Sequence, residues 1–297
     1  MPAPITSSID HILLTRFNLP SGGAESLIRA KDGWLQQRVE LFERYCLPSV
    51  CSQTNKEFHW IIYYDPDSPE WLMRWIRQHR VLGVYQPFFR SSVSREELCA
   101  DIRTVVGSPR AELITTNLDN DDGLATDFID RIQMAGRKGE KTALYIAQGL
   151  IKSEDRLYTF KDPRNAFCSV RETWESPITC WSNWHNLLGK TLPVIEIGGK
   201  PAWLQVIHGR NVSNRIRGKR VSSSSHIDRF PGLINDVRSA SLHERMLERL
   251  VAQPARFVRE VSRKAAKALA MRLLGKDGLS RAKLIWASWR VRSGPQL

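Results

Sequence analysis

The chain has 297 residues, 42% of them hydrophobic, and its 44 Lys and Arg outweigh 31 Asp and Glu to give a net charge of +13. That length and apolar content can bury one large core with a tail, which excludes a disordered or fibrous chain. The positive excess points to an anionic partner, such as a nucleotide, a phospholipid or a polyanionic glycan, with nucleic acid a less specific reading.

Met1 to Ser8 lacks a basic region followed by an apolar run, and no stretch approaches ~18 consecutive apolar residues, so neither a signal peptide nor a membrane span is expected. The five cysteines, Cys46, Cys51, Cys99, Cys168 and Cys180, show no CxxC spacing. No disulfide framework or zinc site is indicated, and a reducing cytoplasm is the simplest location.

Ile9 to Phe17 reads as a first buried strand, closed by the run Asn18 to Gly23. Trp34, Val39, Leu41, Phe42 and Tyr45 form the apolar stripe of a helix that Pro48 ends or leads out of. Phe58 to Tyr64 predicts a second strand, stopped at Asp65-Pro-Asp-Ser-Pro69. A helix over 70–78, a strand near 84–89, a helix over 95–106, a strand around Leu113 and a helix over 125–134 follow. This alternation predicts an α/β fold with a mixed, mostly parallel sheet covered by helices on both faces. Ligands of such sheets sit beyond the carboxyl ends of the strands, where Asn18, Asp65 and Asp119 fall.

The most informative stretch is Glu112-Leu-Ile-Thr-Thr-Asn-Leu-Asp-Asn-Asp-Asp122-Gly123, an apolar strand that runs into three carboxylates. If residues 118–121 remain extended, Asp119 and Asp121 share a face. Two hard oxygen donors so placed suit Mg²⁺ or Mn²⁺ and leave coordination positions for a diphosphate. The same residues also read as a solvated acidic turn capping a helix that begins near Leu124.

Leu144 to Ile151 and Arg156 to Phe160 look like paired strands, and an irregular stretch through Arg164, Glu172, Glu175 and His185 leads to strands over 194–197 and 202–207. Trp174, Trp181 and Trp184 suit either core packing or a sugar platform, because flat aromatic faces stack on pyranose C–H faces. Arg215, Arg217, Lys219 and Arg220 make a basic loop that suits a lid over a diphosphate or a solvated linker. The segment 254–296 is strongly basic with an aromatic anchor at Trp286 and Trp289. It fits a helix on an anionic membrane surface, or equally a helix packed on the domain; a nucleic-acid arm ranks third. The expected division is a domain over 1–235, with halves near 9–135 and 136–235, and a basic helical segment over 236–297.

Three segments together resemble the bacterial rhamnosyltransferases, glycosyltransferases of the GT-A type: His11 to Asn18, Thr115 to Gly123, and Trp203 to Asn214. The resemblance spans roughly residues 9–222. It implies transfer of a sugar, rhamnose among the candidates, from a nucleotide-diphosphate donor to a glycan or lipid-linked acceptor. It implies Asp119 and Asp121, with Asp122 alongside and His208 completing the shell, as ligands of Mn²⁺ or Mg²⁺. Donor contacts are expected from Arg16, Asn18, Asp65, Asn117, Asp119, Asp121 and Arg217. Two positions depart from the family pattern, Asn117 where an arginine is usual and Arg210 where a small or acidic residue is usual.

The chemistry is consistent with this on its own terms. A departing diphosphate needs its charge neutralised, which a divalent metal with Arg or Lys does without proton transfer. An inverting displacement also needs one base, for which Glu172, Glu175 and His185 are the candidates. A non-catalytic sugar-nucleotide or glycan-binding protein is the alternative, and a phosphotransferase or nucleotide hydrolase a third that lacks a glycine-rich phosphate loop. No nucleic-acid partner is expected, and location is expected to be cytoplasmic, peripheral on the inner face of the membrane.

Overall fold

The computed structural model describes residues 8–20, 33–208 and 215–262, except 257 and 260. Arg210 and most of the basic C-terminal segment lie outside the described residues.

Two sheets share the core. The larger has seven strands: β1 (Ile9–Arg16), β2 (His59–Tyr64), β3 (Gln86–Phe89), β4 (Glu112–Asn117), β6 (Thr142–Ile146), β9 (Ser169–Thr173) and β10 (Val194–Ile197). Their order is β10-β6-β9-β4-β1-β2-β3. β1 pairs in parallel with both β2 and β4, whereas β9 runs antiparallel to its neighbours β4 and β6. The expected mixed, mostly parallel sheet is therefore present. The second sheet, ordered β12-β8-β7-β11-β5, consists of β5 (Gly123–Leu124), β7 (Gln148–Ser153), β8 (Arg156–Lys161), β11 (Trp203–Ile207) and β12 (Lys219–Val221).

The central strands read as apolar runs because both of their faces are covered. Ile12, Leu14, Ile61 and Tyr63 pack with Leu98 and Ile102 of helix α4 (Arg95–Val106) on one side. Leu13, Trp60, Ile62 and Tyr64 pack on the other with Val39, Phe42 and Tyr45, and with Leu72 and Ile76 of helix α3 (Glu70–Arg80). The bounds of α4 match the predicted ones because its start is written locally. The Ser94 side chain accepts from the Glu97 N–H, and Glu97 returns a bond to the Ser94 N–H.

Four expectations are corrected. Pro48 does not end the first helix. α1 (Trp34–Leu41) passes through a π-helical turn over Phe42–Cys46 into α2 (Leu47–Cys51), with the Leu47 N–H bonded five residues back to Phe42. The wider turn makes room for the proline ring and its missing N–H. The run read as one strand over 144–151 splits at Ala147, placing β6 in one sheet and β7 in the other. Residues 123–124 form β5 against β11, so helix α5 begins only at Phe128 and ends at Gln133. Lastly, β9 occupies part of the stretch expected to be irregular.

The expected donor and acceptor halves share one sheet, since β6, β9 and β10 complete what β1 to β4 begin. Buried side chains continue as far as Val237 among the described residues. No helix among them is long and apolar enough to cross a membrane.

Gly149 on β7 shows how tightly a side chain of the neighbouring strand β11 packs across it. A Cβ there would lie 1.9 Å from Trp203 Cδ2. Trp203 cannot move aside, because its ring stacks on Phe167 at 5.2 Å and its Nε1–H donates to the Ile146 carbonyl at 2.9 Å. Gly149→Ala is expected to cost about 3 kcal/mol, the upper end for overpacking. An unchanged urea midpoint would show that the indole does not close off this strand.

Candidate active site

β4 delivers the acidic stretch to the junction of the two sheets, and β5 carries the chain across it. The loop between them is tied to β1. The Leu118 N–H donates to the Leu14 carbonyl at 3.0 Å, Thr15 Oγ1 donates to the Leu118 carbonyl at 2.8 Å, and Asn120 Nδ2 donates to the Phe17 carbonyl at 2.7 Å. The stretch is not extended, since the Asp122 N–H reaches back to the Asp119 carbonyl. The three acids consequently face different surroundings.

Asp119 lines a cavity of about 450 Å³ together with Arg16, Asn117, Trp181, Trp184 and His185. It is open to solvent there but hemmed in by protein. Desolvation, then the neighbouring Asp121, pushes its carboxyl up to about 6. Asp121 is buried, with Oδ2 2.6 Å from an Arg38 guanidinium nitrogen and 2.9 Å from His208 Nε2. Burial by itself would raise its pKa, but the His208 hydrogen bond and the Arg38 charge more than offset this and hold it below the usual range. Asp122 accepts from the Val206 N–H at 2.8 Å. Burial, then the charges of Asp121 and Asp119, keeps it well above the usual carboxylate range. It serves as an internal brace between the loop and β11, where the sequence suggested a metal ligand.

The opposite wall of the cavity is the segment 180–185. Cys180 N–H donates to Thr115 Oγ1 at 2.8 Å, and Trp181 Nε1–H donates to Asn117 Oδ1 at 2.8 Å. The guanidinium of Arg16 lies over the Trp181 ring, 4.0 Å from its centre. Asn117 thus does more than stand in for an arginine, because it joins this wall to Asp119, to which its Nδ2 donates at 3.3 Å. The Cys168 and Cys180 thiols on the lining are both raised by burial, the latter to about 12, so neither is a thiolate nucleophile near neutral pH.

Of the three candidate bases, His185 reaches the cavity. Burial lowers its pKa against an opposing contribution from Asp162, which favours the neutral ring. Its backbone carbonyl accepts from the Tyr145 hydroxyl. Glu172 is fully buried in β9, and its two carboxylate oxygens accept the Ile178 and Thr179 N–H groups at 2.8 Å each. It anchors the approach to the cavity wall and does not line the cavity. Glu175 is exposed and also lies off the lining.

The remaining donor candidates are spread more widely. Asn18 and Asp65 sit together at the ends of β1 and β2, where Asn18 Oδ1 accepts the Asp65 N–H at 3.1 Å and Asp65 Oδ1 accepts the Asp67 N–H at 2.9 Å. Arg217 lies over Phe160 of β8, 5.6 Å from the ring centre, and is not on the cavity lining. Of the three tryptophans, Trp174 is committed elsewhere, with Nε1–H on Asp10 at 3.0 Å. Arg38 was not foreseen, since a lone arginine on a helix carries no signal for a carboxylate 83 positions away.

Among the described residues, no three His, Cys, Asp or Glu side chains converge on one point. Two do meet: the 2.9 Å between His208 Nε2 and Asp121 Oδ2 matches neighbouring ligands of an octahedral ion, about 3 Å apart for bonds of ~2.1 Å. Magnesium-type ions need only one or two protein carboxylates when water and phosphate oxygens complete the shell. The donor set fits such an ion, with Arg38 as its competitor for Asp121.

A mostly parallel sheet and the segment 180–185 bring a carboxylate, an arginine and a histidine to one cavity, a composition suited to group transfer. Residues 10–220 match the family described as "Putative rhamnosyl transferase"; the chain belongs to that family, and its enzyme class is glycosyltransferase. Among curated proteins none matches it. Similar solved structures include "a Putative Glucose-1-Phosphate Thymidylyltransferase from Bacillus anthracis in Complex with a Sucrose", 11% identical over 66% of this chain and 88% of that one, with a TM-score of 0.35. S. aureus TarS 1-349 in complex with UDP is 10% identical over 67% of this chain and 60% of that one, TM-score 0.37. The inositol-1-phosphate CTP transferase from T. maritima is 10% identical over 67% of this chain and 89% of that one, TM-score 0.33. At these scores the likenesses carry no argument about donor, metal or acceptor.

Proposed function

We propose that the enzyme moves a sugar, rhamnose being the first to test, from a nucleotide-diphosphate donor to a hydroxyl of a glycan or lipid-linked acceptor, with inversion and with a divalent cation. The observation that carries this reading is the gathering of Arg16, Asn117, Asp119 and His185 around one cavity beside the Asp121–His208 pair. Asp121 and His208 would hold Mn²⁺ or Mg²⁺, which when bound supplies Lewis-acid neutralisation of the leaving diphosphate. Arg16, steadied on Trp181, adds a fixed positive charge on the same side. Neutral His185 takes the acceptor hydroxyl proton as the new C–O bond forms and the bond to the diphosphate breaks. Asn18 and Asp65, bonded to each other at the strand ends, are assigned to the nucleotide. The net charge of +13 supports a cytoplasmic enzyme held peripherally on an anionic membrane surface.

A panel of nucleotide sugars with Mn²⁺ tests the reading. The matching donor at about 100 times its Kd stabilises the fold by ~2.7 kcal/mol and raises Tm. Nucleoside diphosphate is then released faster when acceptor is present. If no nucleotide sugar shifts Tm and none is turned over, the proposal fails.

Trp184, 74% exposed at the cavity rim, is the acceptor platform in this reading. Trp184→Ala is expected to raise the acceptor KM about tenfold, ~1.4 kcal/mol, with donor hydrolysis unchanged. Equal loss of donor hydrolysis would instead place this indole on the donor side.

A further inference from the structure

A second cavity, of about 720 Å³, lies between the edge strand β12 and the π-helical turn Glu248–Ala252 that follows helix α6 (Leu242–Leu247). Lys219 and Arg220 line it from the strand, and Arg249, Glu248 and Gln253 from the helical side. The one carboxylate among these five does not neutralise the three cations. Glu248 is paired with Arg256, whose guanidinium also donates to the Gly218 carbonyl at 3.2 Å and lies over Tyr158. Arg220 carries a terminal guanidinium nitrogen that is buried with no hydrogen-bond partner among the described residues. A buried unpaired donor of this kind is costly, and it leaves the Arg220 guanidinium without a counter-charge among the described residues, beside the cavity that it lines.

The site is separate from the catalytic cavity. β12 lies three strands from β11, the strand before His208, which is about 14 Å at ~4.8 Å per strand. Planar arginine forks match phosphate oxygens, and a cavity of this size holds more than a bare ion.

We infer that this cavity binds a phosphate ester, carried either by a lipid headgroup or by a soluble sugar or glycerol phosphate. The inference is independent of the reaction proposed above. It gives the basic residues 219–220 a role in binding a phosphorylated ligand at the outer edge of the second sheet.

Hydrogen–deuterium exchange on the full-length chain tests it, with three probes: inorganic phosphate, glycerol 3-phosphate, and phosphatidylglycerol vesicles against net-neutral phosphatidylcholine vesicles. The expected result is slowed exchange over 219–222 and 248–254 with at least one phosphate probe. Arg220→Gln/Arg249→Gln is expected to weaken that protection at least tenfold in half-saturating concentration, whereas the charge-matched Arg74→Gln/Arg137→Gln keeps it. Should the double variant fold poorly, Arg249→Gln alone, at an exposed position, gives the same direction. Protection by vesicles but not by soluble esters identifies a lipid headgroup, and the reverse a free phosphate ester. Protection confined to 16–18 and 117–121, or unchanged in the 220/249 variant, overturns the inference.

Discussion

Asp121→Asn is expected to lower turnover of the matching donor by about two to three orders of magnitude, the usual loss when one preorganised charge-stabilising group is removed. The substitution keeps shape and can keep a bond to His208, so the loss isolates the charge. It also leaves Arg38 facing a neutral amide 2.6 Å from where its counter-ion stood. Asp122 provides the internal comparison. Its carboxyl is held well above the usual range, first by burial and then by Asp121 and Asp119. Asp122→Asn keeps the side-chain shape and can still accept the Val206 N–H, so its loss is expected to stay under about tenfold. Release of nucleoside diphosphate under single-turnover conditions measures both. Wild-type rates for Asp121→Asn would remove this residue from the donor machinery and the cation with it.

The second large effect is on stability. Glu112 of β4 and Arg171 of β9 form a buried pair, 2.5 Å apart, with side chains 2% and 8% exposed. Arg171 also donates to the Gln133 and Ala135 carbonyls, and Glu112 accepts the Gly139 N–H. Glu112→Ala strands the guanidinium between strands and is expected to cost about 3–5 kcal/mol in denaturant unfolding. Replacing both residues with apolar ones, Glu112→Leu/Arg171→Met, is expected to cost less than either single change, because no charge is left without its partner. The pH dependence has a definite sign. Burial works against the Glu112 carboxylate, but its bonds to Arg171 and Gly139 bring its folded pKa below the ordinary 4.5. Its stabilisation is therefore fully present above about pH 4.5 and is lost as pH falls below that. A single substitution costing under ~1 kcal/mol would show that water reaches this pair.

The sequence by itself determined the elements whose causes are local. β1 and β2 carry apolar runs because both faces of the sheet are buried there, and α4 starts at a capping box between Ser94 and Glu97. It also placed Asp119 and Asp121 at a strand end, and it marked Arg16, Asn117 and His185, which line one cavity. Tertiary structure decided whatever depends on distant partners. β9 is hidden in the sequence by Arg171 and Glu172, charges that a strand interior tolerates only because Glu112, Lys141 and two backbone N–H groups wait for them. The same burial takes Glu172 away from the reacting groups. A single apolar run over 144–151 cannot reveal that Ala147 divides two sheets, since both sides of the break are buried alike. Three aspartates within four positions, 119 to 122, likewise look equivalent in the chain. Their separate roles come from Arg38, His208 and the Val206 N–H, groups 83 to 87 positions away that folding brings within 3 Å.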